Sequence, residues 1–173
     1  VPLGADGLAR LLLAGAGDSS LLARVSRNAV GTFTDIAADL PNASSGSATW
    51  GDYDNDGDLD ILLTGLAGAG ARVYRNDGGA FTDITAGLTG VTDSSVAWGD
   101  YDNDGALDIL LTGFTGSGRI AQVHRNDSGT FTDIDAGLTD IYVGNVAWGD
   151  YDNDGDLDII LAGFTGSNWI SQI

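Results

Sequence analysis

Cysteine, methionine, lysine and glutamate are all absent from the chain, and proline occurs only twice in 173 residues. Without cysteine there are no disulfides and no thiolate metal sites, so any crosslink must come from oxygen ligands or from packing. Seven arginines stand against 25 aspartates, which leaves a net charge of −18. Phosphate binding needs clustered Lys and Arg, so this balance argues against nucleic acid and anionic membrane surfaces as partners; cations are the natural counterpart. Catalytic side chains are scarce as well. The one histidine, His124, occupies a slot filled by Tyr74 and Ser26 in other copies of the repeat described below. The paired aspartates lack the distinct environments that acid and base roles demand, and the chain is read as not an enzyme. No apolar run reaches membrane-spanning length. The stretch Leu11 to Gly17 has the look of a signal-peptide centre, but it follows the repeat register and is read as a strand.

What the chain does have is 43% apolar residues, enough for a buried core, and 27 glycines gathered where it must turn. It also repeats itself. Trp50 to Gly65, Trp98 to Gly113 and Trp148 to Gly163 are nearly one sequence, with 48 and then 50 residues between the tryptophans. Phe-Thr-Asp-Ile recurs at Phe33, Phe81 and Phe131, and Arg-Asn at Arg27, Arg75 and Arg125. Leu11-Leu12-Leu13-Ala14-Gly15 aligns with Ile61 to Gly65, so a partial copy opens the chain. The chain thus reads as one domain over 1–173 with repeats of approximately 1–36, 37–84, 85–134 and 135–173.

Within a unit, Ser95 to Trp98, Leu107 to Leu111, Arg119 to His124 and Thr130 to Ile134 are short apolar runs between Gly, Asp and Ser clusters, which predicts four strands and no helix. Four strands in a tandem unit of this length predict an all-β fold of β-propeller blades, each a four-stranded antiparallel sheet, ahead of solenoids and sandwiches. Trp50, Trp98 and Trp148 are expected on the innermost strands as packing between blades. The chain supplies about 3.5 repeats, fourteen strands, with an opening blade short of its inner strand and a closing blade short of its outer one. Closed propellers have four to eight blades, so the ring is expected to be completed by another chain, a homodimer being favoured, or by sequence outside this chain.

The informative motif is Asp52-Tyr53-Asp54-Asn55-Asp56-Gly57-Asp58-Leu59-Asp60, repeated from Asp100 to Asp108 and from Asp150 to Asp158. Carboxylates at positions 1, 3, 5 and 9 come from Asp52, Asp54, Asp56 and Asp60, from Asp100, Asp102, Asp104 and Asp108, and from Asp150, Asp152, Asp154 and Asp158. Position 7 is Asp58, Ala106 or Asp156, as suits a site that uses the main-chain carbonyl there. Gly57, Gly105 and Gly155 stand at position 6, where a sharp turn resists side chains. Several oxygens converging at roughly 2.3–2.6 Å suit Ca²⁺ better than Mg²⁺, which demands a stricter octahedron. About three Ca²⁺ per chain are expected. An EF-hand would place Glu at position 12, where this chain has Leu63, Leu111 and Leu161. In the opening copy Pro2, Gly4, Asp6 and Arg10 fill positions 1, 3, 5 and 9, and no calcium is expected there.

The block Trp-Gly-Asp-Tyr-Asp-Asn-Asp-Gly-Asp-Leu-Asp-Ile resembles the FG-GAP and VCBS repeats, propeller blades found in the integrin α-subunit head and in many secreted bacterial proteins. That similarity implies that Asp52, Asp54, Asp56, Asp60 and their counterparts are calcium ligands joining strands one and two of each blade. An affinity on the order of 10⁻⁴–10⁻³ M, as in extracellular modules, points to a secreted or cell-surface setting. The expected function is a non-catalytic, calcium-stabilised scaffold acting as an extracellular binding module for a protein. A carbohydrate-binding lectin is the alternative, and a designed or consensus repeat without natural ligand is a third. Variation between copies falls on the loops opposite the calcium face, where Phe114, Tyr142, Phe164 and Trp169 are the candidate ligand-binding residues.

Overall fold

The computed structural model describes residues 10–17, 20–66 and 70–173, and among them every regular element is a β-strand. The opening sheet is formed by β1 (Arg10–Gly17), β2 (Ser20–Ala29) and β3 (Thr32–Asp35). Two four-stranded sheets follow, β4 (Ala48–Gly51), β5 (Asp60–Leu66), β6 (Gly70–Asp77) and β7 (Ala80–Asp83), then β8 (Thr92–Gly99), β9 (Asp108–Phe114), β10 (Arg119–Asp127) and β11 (Thr130–Asp133). The closing sheet holds β12 (Tyr142–Gly149), β13 (Asp158–Phe164) and β14 (Trp169–Gln172). Strands run in chain order within each sheet, and every pairing is antiparallel. These are four blades stacked side by side, and the described residues do not close a ring. The first strands β4, β8 and β12 approach one another between blades, as expected for innermost strands.

The turns explain the short repeated blocks. Two-residue hairpins link the last two strands of a blade, and both of their residues take positive φ: Gly78 and Gly79 at 63° and 105°, Ser128 and Gly129 at 54° and 87°. The recurrent Asn of Arg-Asn caps this turn, since Asn76 Oδ1 accepts the Gly79 N–H at 2.7 Å and Asn126 Oδ1 that of Gly129 at 2.7 Å. The arginines pair with Asp77 and Asp127 on the exposed surface, where an ion pair adds little. In Phe-Thr-Asp-Ile, the Asp carboxylate accepts the N–H two residues on, while the Ile N–H returns to a valine carbonyl of the third strand.

The first strands of blades three and four start earlier than the apolar pattern suggested, at Thr92 and Tyr142. Both carry a bulge just after that start, made by Asp93 and Val143 in left-handed backbone with φ of 47° and 48°.

Packing falls between blades. Ile61 and Leu63 of β5 face the opening blade, clustering with Val25, whereas Leu62 faces blade three, clustering with Ile109 and Leu111. Leu110 repeats this one blade on, with Ile141, Val146 and Leu161. A central strand sandwiched in this way buries both faces, so it reads in sequence as an unbroken apolar run.

Candidate metal centres

Each Asp-rich loop joins the first two strands of a blade. In the loop of blade two, Asn55 and Gly57 adopt left-handed backbone, φ 58° and 95°, and turn the chain back on itself. Asp52 fixes that turn by accepting the N–H of Asp56 at 3.1 Å and of Gly57 at 3.0 Å. Asp100 does the same for Asp104 and Gly105 at 3.0 and 2.9 Å, and Asp150 for Asp154 and Gly155, both at 3.1 Å.

Folding the loop brings three carboxylates together: Asp52, Asp54 and Asp60; Asp100, Asp102 and Asp108; Asp150, Asp152 and Asp158, each set offering oxygens within 4.8 Å of one another. Two ligands of one ion, each about 2.4 Å from it, lie no farther apart than about 4.8 Å, so the spacing fits a single hard cation. The donors are all oxygen, which suits Ca²⁺, Mg²⁺ or Mn²⁺ over softer metals.

The third member of each set is the most enclosed. Asp60 is fully buried and accepts the N–H of Tyr53 at 3.1 Å and of Asn76 at 2.8 Å. Burial still dominates and pushes its pKa up to about 6, with the Asp54 and Asp56 charges acting in the same direction. Asp108, also fully buried and bonded to the N–H of Tyr101 and Asn126, is raised for the same reason. A cation among these oxygens would offset both the desolvation and the mutual repulsion.

The position-5 aspartates lie outside these sets. Asp56, Asp104 and Asp154 instead accept the N–H of residues 58, 106 and 156 at 2.8, 2.8 and 2.9 Å. At position 7, Asp58 accepts the Gly78 N–H at 2.8 Å and ties the loop to the hairpin of its own blade, while Asp156 accepts from Asn103 of the blade before at 3.1 Å. Ala106 contributes its N–H to Asp104. The opening loop of Pro2, Gly4, Asp6 and Arg10 lies outside the described residues and side chains.

The asparagine repeated in every loop has a role that the sequence reading missed. Asn55 donates to the Gly105 carbonyl at 2.9 Å and Asn103 to that of Gly155 at 3.4 Å, so each loop latches onto the next. Asn126 likewise donates to Tyr53 of the preceding blade at 3.0 Å and to Leu107 at 3.1 Å. Their recurrence at one position in each copy was the available signal.

On the opposite face, Phe114, Tyr142, Phe164 and Trp169 form one row, with successive ring centroids 5.5, 5.8 and 5.3 Å apart. The first three are half-buried and Trp169 is 69% exposed. His124 stands apart from both features: it is buried, and desolvation lowers its pKa.

A family model described as FG-GAP-like repeat matches residues 5–63 and 52–111. Comparison with curated proteins and with solved structures gives no match.

Proposed function

Because the chain belongs to the FG-GAP-like repeat family, we propose that it is a calcium-stabilised β-propeller scaffold that works as an extracellular binding module and catalyses no reaction. The observation that carries this reading is the recurrence of one three-carboxylate set at the same strand-to-strand loop of three successive blades. Asp52, Asp54 and Asp60 would hold the ion in blade two, and their counterparts would do so in blades three and four. What a bound ion supplies is charge neutralisation. The protein's own part is to present oxygens from both strands, so that Asp60 at the start of β5 and Asp52 just after β4 are held together in one loop. Calcium is favoured over magnesium because the loop offers a loose, all-oxygen donor set with carboxylates of mixed exposure. An extracellular setting is in keeping with such open loops, which suit weak affinity and a calcium-rich compartment. Among the described residues no helix is long and apolar enough to cross a membrane.

Thermal unfolding in EDTA, in Ca²⁺ and in Mg²⁺ tests the reading. Calcium at about one hundred times its dissociation constant is expected to add about 2.7 kcal/mol per site and to raise the melting temperature accordingly. No response to calcium would overturn it.

A second reading, carbohydrate binding, rests on the aromatic row from Phe114 to Trp169 on the face away from the metal loops. Ring faces stack on sugars, and Trp169 is the most exposed of the four. Selective glycan binding that is lost in Trp169→Ala supports it, and silence across a glycan array favours a protein partner.

A further inference from the structure

The outward side of the fourth blade carries an unused copy of the fittings that join the blades before it. At the joint of blades two and three, Gly51 lies under the indole of Trp98, so close that a Cβ would come within 2.6 Å of Cδ1. Gly99 lies under Trp148 in the same way, also at 2.6 Å. Tyr53 stacks on Trp98 and Tyr101 on Trp148, each with centroids 6.3 Å apart and planes 10° from parallel. Leu62 and Leu110 at the centres of β5 and β9 are fully buried in clusters shared with the following blade, as are Val73 and Val123.

In blade four the same positions are open. A Cβ on Gly149 would meet no described atom within 4 Å. Tyr151 is 68% exposed, Ile160 46% and Ile173 76%. A cleft of about 450 Å³ also opens beside Leu138, Leu157, Ile159 and Leu161. In blade three the matching Leu88, Leu107, Ile109 and Leu111 pack with Phe131 of the outer strand.

We propose that this face seats a further blade of the same repeat type, one whose first strand ends in Trp followed by Gly. The fittings identify the occupant because two filled copies of the joint show what each receives: an indole over the glycine and tyrosine, and aliphatic side chains over the central strand. A second copy of this chain does not supply that indole. Trp50, Trp98 and Trp148 are each packed in the cluster shared with the blade before them. The occupant is therefore a blade continuing the same polypeptide in repeat register. The inference is independent of which ion the loops hold.

The register makes a direct test possible. Gln172-Ile173 corresponds to Gln122-Val123, so repeating residues 124–173 after Ile173 completes the outer part of blade four and adds one Trp-bearing strand. Melting is measured for the natural and extended chains, each with and without Gly149→Val, in saturating calcium and again in EDTA. Gly149→Val is expected to be silent in the natural chain and to lower the melting temperature of the extended chain by roughly 4 °C or more. Gly99→Val, at a filled joint, is expected to be harmful in both. An equal effect of Gly149→Val in the two chains, or an extended chain that does not fold cooperatively, would overturn the proposal. Sedimentation of the natural chain is the second measurement. A monomer supports the proposal, whereas a stable dimer that Gly149→Val converts to monomers would overturn it by assigning the face to a second copy.

Discussion

Asp60 sits at the balance point between folding and metal binding. Its folded-state pKa of about 6 lies above the unfolded value of about 3.9, so the folded chain without metal holds the proton more tightly than the unfolded chain does. The stabilising contribution of that proton is complete below about pH 4 and is lost as pH rises through about 6. Calcium binding runs the other way, because the ion requires the ionised carboxylate. Titrating melting temperature against pH is expected to show the metal-free protein losing stability from pH 4 to 6, and the increment due to calcium shrinking as pH falls through that range. Asp60→Asn is expected to flatten part of the first trend and to weaken the calcium increment. The alternation of aspartates made the loop legible from sequence, and so was Gly57, whose left-handed backbone marks the turn. The division of labour was not legible. Asp56 resembles Asp54 in one dimension, yet it accepts the Asp58 N–H and lies outside the three-carboxylate set. Only the fold distinguishes an oxygen aimed at a shared point from one that closes a turn.

At the level of strands and hairpins, asparagines do more than the apolar pattern can announce. Asn126 is buried, caps the hairpin between β10 and β11, and donates to carbonyls of two different segments, Tyr53 and Leu107. Asn28, in the same place one hairpin earlier, is seen to cap the exposed turn at Gly31. Asn126→Ala is therefore expected to cost about 1–3 kcal/mol in urea denaturation, because it strands buried partners, and Asn28→Ala under about 1 kcal/mol. The strands themselves were readable: the run Leu107 to Leu111 announces a segment apolar on both sides, and β9 is buried on both sides. The starts of β8 and β12 were not, since a bulge depends on pairing with the neighbouring strand as well as on the local residues Asp93 and Val143.

For the molecule as a whole, a charge of −18 on 173 residues disfavours compaction through self-repulsion. Calcium and salt address the same repulsion by different means, one by site binding and the other by screening. Sodium chloride at about 0.5 M, where screening acts within a few ångströms, is expected to raise the melting temperature more in EDTA than in saturating calcium. Equal increments in the two conditions would place the dominant repulsion outside the aspartate loops. The tandem architecture was legible from the spacing of Trp50, Trp98 and Trp148, because each is the same part of the same joint. The partner of each joint was hidden, as Tyr53 and Trp98 meet only across two blades.

One consequence concerns the order in which the chain is made. Leu62 and Leu110 are covered by the blade that follows them in sequence, not by their own sheet. During synthesis a newly emerged blade is therefore clad on one flank by its predecessor and bare on the other until the next repeat has left the ribosome. At translation speeds of about 5–20 residues per second that wait lasts several seconds, which gives the growing end a recurring period of vulnerability, one blade deep, that moves along the chain as translation proceeds.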